Sequence, residues 1–78
     1  MSYYTYVLYS ELTQKYYVGS TQDFKKRITY HNTGKSKFTK IGIPWRLIKV
    51  FAFNSKTEAI KLEYKIKKRG IKRFIESI

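Results

Sequence analysis

The fold is decided by residues 3–20, which read YYTYVLYSELTQKYYVGS. From Tyr3 to Tyr9 the residues alternate between two sets and are rich in aromatic and β-branched types, which indicates a β-strand. Residues Lys15 to Ser20 form a second run of the same kind. The short segment between the two runs is typical of a hairpin loop, so we expect the strands to pair antiparallel.

The register of this hairpin brings two tyrosines together. If Ser10 pairs with Lys15, Tyr17 lies opposite Leu8 and diagonal to Tyr6. The two tyrosines then share one face of the sheet.

A helix is predicted from Asp23, with Gly34 at the position of a helix stop. The residues of one helical face recur at i, i+4 and i+7: Phe24, Ile28 and His31. Arg27 lies one turn before His31, so both lie beside the apolar stripe.

The remaining chain completes an α+β fold. Lys35 to Gly42 has no periodicity and is predicted to be a basic loop, and Trp45 to Phe53 is predicted to be a central strand covered on both faces. A capping box, Ser55-x-x-Glu58, predicts a second helix that runs to about Arg69 and ends at Gly70. A short amphipathic helix follows, with apolar residues at i, i+3, i+4 and i+7: Ile71, Phe74, Ile75 and Ile78.

The order β-β-α-β-α-α predicts a three-stranded antiparallel sheet flanked by helices. We expect residues 1–78 to form one domain.

The charge of the chain favours a polyanionic partner. Lys and Arg number 17 against 5 Asp and Glu, which gives a formal net charge of +12, and the chain has no cysteine. A field of this sign attracts nucleic acid most readily, with an anionic membrane surface as the competing partner. We find neither a membrane-spanning run nor an export signal in the sequence, and we expect a soluble, cytoplasmic protein without disulfides.

Glu63 is the acidic residue whose position needs a reason, because it lies within the apolar arc of the second helix. One interpretation is an ion pair with Lys67 at i+4, which stabilises helices modestly. The other is a metal ligand, since Mg²⁺ is typically held by one or two carboxylates together with water and phosphate.

Arg27 and His31 have two interpretations as well. A histidine beside an apolar stripe is often a hydrogen-bonded packing residue, but Arg27 on the same helical side could hold a phosphate while His31 moves a proton. Most of the 8 tyrosines are expected to be packing residues. The other basic residues read as a solvated, phosphate-attracting face.

Taken in order, these features resemble the GIY-YIG nuclease superfamily, and in particular small single-domain bacterial members similar to the N-terminal nuclease domain found in the bacterial excinuclease ABC. The resemblance rests on Tyr4-Thr5-Tyr6, Tyr17-Val18-Gly19, Arg27-x-x-x-His31-Asn32 and Glu63, and it covers the chain from Tyr4 to about Arg69.

The resemblance implies a DNA endonuclease or nickase, with RNA as an alternative substrate, that uses Mg²⁺ or Mn²⁺ and no small organic cofactor. It implies catalytic roles for Tyr6, Tyr17, Arg27 and His31 and a metal-binding role for Glu63. A tyrosine would take the proton of the attacking water, directly or through His31, with its pKa lowered by nearby cations. Nucleic-acid contacts are expected from the glycine of the second motif and from basic residues: Gly19, Lys35, Lys37, Lys40 and Lys67.

Three departures from the family pattern bear on this expectation. The first triplet lacks its glycine and isoleucine, Val18 replaces an isoleucine, and no asparagine follows Asn54. The length matches a catalytic core alone, so we expect structure-selective or non-specific cleavage, with DNA repair or recombination as the setting. The alternatives are a basic nucleic-acid-binding module with weak or no catalysis, and an adaptor that docks on an acidic protein through Ile71, Phe74 and Ile78.

Overall fold

The computed structural model describes residues 2–78. In chain order its elements are strand β1 (Tyr3–Ser10), strand β2 (Lys15–Thr21), helix α1 (Phe24–Asn32), a 3-10 turn (Lys40–Gly42), strand β3 (Trp45–Phe53), helix α2 (Lys56–Arg69) and helix α3 (Ile71–Glu76). The predicted α+β class and the order β-β-α-β-α-α are confirmed. The predicted basic loop contains the 3-10 turn, for which the sequence carries no clear signal.

The hairpin has the predicted register. Ser10 pairs with Lys15 and Leu8 pairs with Tyr17, so that Tyr17 lies diagonal to Tyr6, whose direct partner is Gly19. The bulge in β1, between Val7 and Leu8, affects only its pairing with β3.

The prediction that β3 is a central strand is wrong. The strand order is β2-β1-β3, so β1 is central and β3 lies at an edge. Arg46 and Lys49 are exposed, and most of the apolar residues of β3 are only partly buried. The central strand β1 is less apolar than β3, because it carries residues with hydroxyl groups, such as Thr5 and Tyr6, that are fully buried. Apolar content therefore pointed to the wrong strand.

The helix ends follow the sequence signals. The Asp23 side chain accepts a hydrogen bond from the Lys26 N–H, and the Ser55 hydroxyl accepts one from the Glu58 N–H. Helix α2 ends at Gly70, whose φ of 97° lies in the region that favours glycine.

Each face of the sheet carries its own apolar cluster. On the α1 face, buried Tyr6, Leu8 and Trp45 pack with partly buried neighbours: Tyr17, Ile28, Ile43, Leu47 and Val50. On the face of α2 and α3, buried Val7, Val18 and Ile66 pack with another set: Tyr16, Ile48, Leu62, Ile71, Phe74 and Ile75. The core is therefore divided between the two faces of the sheet.

Helix α3 packs only partly as predicted. Ile71, Phe74 and Ile75 join the second cluster, but Ile78 is 63% exposed. Because Ile71 and Phe74 are occupied by this packing, the adaptor surface expected from the sequence is not presented to a partner. No helix among residues 2–78 is both long and apolar enough to cross a membrane.

The packing predicts a sharp contrast between two isoleucines. Ile66→Ala removes a fully buried side chain and should lower the free energy of unfolding by about 2–5 kcal/mol. Ile78→Ala alters an exposed side chain and should change it by less than about 0.5 kcal/mol. Urea unfolding followed by circular dichroism measures both, and equal losses would contradict the burial of Ile66 and the exposure of Ile78.

Candidate active site

A buried hydrogen-bonded chain lies at the centre of the candidate site. The Tyr6 hydroxyl of β1 is 3.1 Å from His31 Nε2, and His31 Nδ1 is 2.8 Å from the Thr39 hydroxyl. Tyr6, His31 and Thr39 are at most 2% exposed. The start of β3 is joined to the same hydrogen-bonded series, because the Trp45 indole N–H donates to the Thr39 carbonyl at 2.6 Å.

Asn32 fixes the end of α1 beside this chain. Its side-chain oxygen accepts from the Trp45 N–H at 2.6 Å, and its side-chain nitrogen donates to the Trp45 carbonyl at 3.1 Å. This two-way bond joins the helix to the start of β3 and thereby holds His31 in place under the sheet.

Tyr17 is the tyrosine of this group that reaches the surface. Its ring lies edge-on to the His31 ring with centroids 4.8 Å apart, and 6.3 Å from the ring of Tyr6. The sequence correctly predicted that the two tyrosines share a face, but only Tyr17 is partly exposed.

Gly19 makes room for the Tyr6 hydroxyl. A Cβ atom at Gly19 would lie 2.5 Å from the Tyr6 hydroxyl oxygen and 2.7 Å from the ring carbon Cζ, closer than real side chains approach. Gly19 is buried, which leaves no surface for the nucleic-acid contact that was expected of it from the sequence.

Glu63 approaches from the opposite side of the sheet. One carboxylate oxygen accepts a 2.6 Å hydrogen bond from the Ser20 hydroxyl, and the other lies 2.7 Å from the Lys67 ammonium. The Glu63 side chain is 17% exposed, whereas that of Lys67 is 51% exposed. The predicted Glu63–Lys67 pair is therefore present.

The donor set at Glu63 suits a cation held mainly by water and phosphate. Among residues 2–78, no group of three or more His, Cys, Asp or Glu side chains gathers around a possible ion. One carboxylate matches the way Mg²⁺ commonly binds, with substrate oxygens and water completing its shell. The Lys67 ammonium is mobile enough by its exposure to yield that oxygen.

Arg27 lies at the surface, apart from the buried chain. Its guanidinium lies over the Tyr30 ring, 5.1 Å from the centroid. Together with Tyr30 and Thr21 it lines an open cleft of about 490 Å³. Arg27 and His31 are one turn apart as predicted, but the structure does not expose them at one common point.

Burial controls the ionisation of the two central groups. It raises the pKa of the Tyr6 hydroxyl well above its ordinary value, an effect increased by Tyr17 and Glu63 and only partly opposed by Arg27. Burial, and then the charge of Arg27, lowers the pKa of His31. The expectation that nearby cations lower the pKa is thus wrong for Tyr6. His31 is neutral at neutral pH and bonded on both sides, which agrees with its interpretation as a packing residue.

The predicted basic contacts lie on two elements. Lys35, Lys37 and Lys40 are exposed in the loop before β3, and Lys67 is exposed on α2. The hydrogen bond that Lys67 donates to Glu63 is the main cause that raises the pKa of Lys67.

Ser20 and Thr39 belong to the site but were not predicted from the sequence. The alternation of β2 placed Ser20 on the face opposite Tyr17, and this signal could have paired it with Glu63. Thr39 lies in a segment without periodicity, and no sequence signal marked it.

The lowered pKa of His31 predicts an acid-sensitive fold. His31 is the only histidine, and its unfolded form takes up a proton near its ordinary pKa of 6.5 while the folded form resists it. The melting temperature should therefore fall as the pH drops below about 6.5. His31→Gln should flatten this dependence between about pH 7 and pH 5.5, and an unchanged slope would contradict the assignment.

The close approach at Gly19 predicts a steric defect. Gly19→Ala should lower the free energy of unfolding by about 1–3 kcal/mol through overpacking against Tyr6. Tyr6→Phe removes the nearest oxygen, so the double variant should lose less than the sum of the single ones in urea unfolding. Strict additivity of the two losses would contradict the contact.

Comparison with known proteins agrees with this arrangement. The family model described as the GIY-YIG catalytic domain matches residues 2–73. The chain is 40% identical over 68 residues to the UPF0213 protein BH0048 of Halalkalibacterium halodurans, covering 86% of this chain and 71% of that protein. It is 44% identical over 54 residues to the UPF0213 protein YazA of Bacillus subtilis, covering 68% of this chain and 54% of that protein.

Relatives are thus matched over differing shares of their length, and the chain spans little more than half of YazA. The solution NMR structure of the UPF0213 protein BH0048 from Bacillus halodurans superposes with a TM-score of 0.60 at 35% identity, covering 97% of this chain and 81% of that one. With its fold, its motif order and the family match in agreement, the chain belongs to the GIY-YIG family.

Proposed function

We propose that this chain is a divalent-metal-dependent endonuclease or nickase that hydrolyses phosphodiester bonds in DNA. The observation that supports it most is that strand β2 carries both Tyr17, whose ring contacts His31, and Ser20, whose hydroxyl holds Glu63, three residues apart. Phosphodiester hydrolysis needs groups that accept a proton, stabilise charge on the phosphoryl oxygens and help the leaving oxygen. These side chains match those needs.

Glu63 would hold Mg²⁺ or Mn²⁺, because it is the partly buried carboxylate of the cluster and is already oriented by Ser20. A bound divalent cation supplies Lewis-acid stabilisation of the phosphoryl and leaving oxygens. Lys67 would leave Glu63 and contact a phosphate, which its exposed position permits.

Tyr17 is the better candidate for proton transfer. Tyr6 is buried and its raised pKa keeps the hydroxyl neutral, so it serves as an oriented hydrogen-bonding partner of His31. Tyr17 is partly exposed and its ring lies against that of His31, so it can reach a substrate that Tyr6 cannot. Proton transfer through His31 is the alternative route within the proposal.

Arg27 would bind a non-bridging oxygen of the scissile phosphate. A guanidinium is planar, always charged and suited to two oxygens at once. Its place over the Tyr30 ring limits its freedom, which reduces the entropy lost when it binds.

The substrate proposal rests on charge. With a net charge of +12, phosphate contacts would supply most of the affinity, so binding should be salt-sensitive and largely indifferent to sequence. We therefore propose structure-selective or non-specific cleavage rather than sequence-specific cleavage, with repair or recombination as the setting and the cytoplasm as the place. RNA is the alternative nucleic acid.

A second candidate function is nucleic-acid binding without catalysis. The observation in its favour is the Glu63–Lys67 pair, which gives the carboxylate a structural partner at 2.7 Å. This candidate predicts affinity that falls linearly in log salt and is indifferent to Mg²⁺ and to substitution of Glu63.

The two functions are separated by a matched pair of substitutions on α2. Glu63→Gln should reduce Mg²⁺-dependent cleavage of plasmid and branched DNA by about 100-fold or more, because charge stabilisation at the reacting centre is lost. Glu58→Gln changes an exposed carboxylate on the same helix and should leave cleavage unchanged.

The same assay tests Arg27. Arg27→Ala should lose a comparable factor, while Lys26→Ala, which removes a neighbouring exposed charge, should weaken cleavage only slightly at moderate salt. Equal cleavage by the wild type, Glu63→Gln and Arg27→Ala would remove these residues from the mechanism.

A further inference from the structure

We propose that Phe38 is a stacking platform for an unpaired nucleobase beside the candidate active site. This inference rests on the proposed nucleic-acid substrate and narrows it to strands with unpaired nucleotides at or next to the scissile phosphate.

Phe38 has no packing role in the fold. Its side chain is 93% exposed, more than the other large hydrophobic residues at the surface. Exposed aromatic rings on a basic surface are what single-stranded nucleic acids use, because every base offers a flat face for stacking.

The backbone next to Phe38 is nevertheless anchored. The adjacent Thr39 is buried and bonded through its hydroxyl to His31 at 2.8 Å and through its carbonyl to the Trp45 indole at 2.6 Å. The backbone position of Phe38 is therefore restrained by the same hydrogen bonds that position the catalytic candidates. Less backbone freedom is then lost when the ring stacks on a base.

The ring borders a groove that leads to Tyr17. This groove has a volume of about 200 Å³, and its walls include Phe38, Tyr17, Ile41 and Trp45. Because Tyr17 also contacts His31 in the candidate site, a base stacked on Phe38 would place its own phosphate within a nucleotide's reach of Tyr17.

The charge around the groove selects a polyanion. Lys15 contributes a positive charge to its lining, and the loop from Lys35 to Gly42 carries three lysines and no acid. Glu11 in the neighbouring hairpin loop is paired with Arg46 at 3.3 Å. A ligand that combines phosphates with flat aromatic rings fits this surface. An apolar protein partner would contact the exposed ring but leave the lysine charges unpaired.

In a continuous duplex the bases are already stacked on each other, and only their edges are accessible in the grooves. The platform therefore favours flaps, forks and single strands. Since stacking tolerates any base, it gives preference for structure without preference for sequence.

The test measures binding without metal, so that it does not depend on cleavage. Fluorescence anisotropy compares a labelled flap DNA with a continuous duplex of equal length. Phe38→Ala should weaken flap binding roughly tenfold and change duplex binding less than about twofold. An abasic nucleotide at the flap junction should abolish the difference between the wild type and Phe38→Ala.

Three further variants test whether the aromatic ring of Phe38 accounts for flap binding. Phe38→Trp should retain flap binding and Phe38→Leu should not, because leucine keeps the apolar volume but lacks the ring face. Leu12→Ala changes another exposed apolar residue, 70% exposed and outside the lining of the groove, and should have little effect. Circular dichroism of each variant confirms the fold, which an exposed position is not expected to disturb.

The outcomes separate this inference from the proposed nuclease function. Wild-type flap affinity in Phe38→Ala, or equal affinity in Phe38→Leu and Phe38→Trp, overturns the stacking platform even if DNA is cleaved. Loss of flap affinity in Phe38→Ala and Phe38→Leu alone supports the platform even if no variant cleaves DNA, in which case only the nuclease proposal fails.

Discussion

The structure depends on one neutral, buried imidazole. His31 links the central strand to the loop before β3, through a hydroxyl at each ring nitrogen. Hydroxyl groups can donate or accept, so either neutral tautomer satisfies both bonds. Because the ring is 2% exposed, protonation would cost desolvation energy, and the neutral state is the one that the fold maintains. The tyrosine at one end and the loop at the other are thereby held in a fixed relation.

The second constraint is that strand β2 lies at the sheet edge. Gly19 lets the Tyr6 ring extend over the strand on one face, while the next residue, Ser20, points to the other face and holds Glu63. Side chains from opposite faces of a sheet normally cannot share a site. Here the charge of Glu63 on the other face adds to the raised pKa of Tyr6, after burial and Tyr17.

Local patterns predicted the hairpin, the helices and the shared face of Tyr6 and Tyr17, because strand alternation and helix caps depend on neighbouring residues. The predicted position of β3 in the sheet was wrong. Apolar content alone does not distinguish an edge strand with two half-buried faces from a central strand. Thr39 was missed because a loop residue acquires its role only through contacts distant in sequence, here with α1 and β3. Burial likewise reversed the expected pKa shift of Tyr6, since the sequence shows charges but not depth.

The two interpretations of Glu63 are compatible in physical terms. Its pair with Lys67 involves a half-exposed ammonium, and pairs of this kind contribute about 0–1 kcal/mol. So small a contribution is readily exchanged for a divalent cation and a phosphate. Of the 5 acidic residues, only Glu11 and Glu63 form ion pairs within residues 2–78, and Glu63 is the one whose partner lies on the same helix. If the proposed function holds, the i,i+4 spacing that makes the pair would also bring the positive charge of Lys67 to the phosphate beside Glu63.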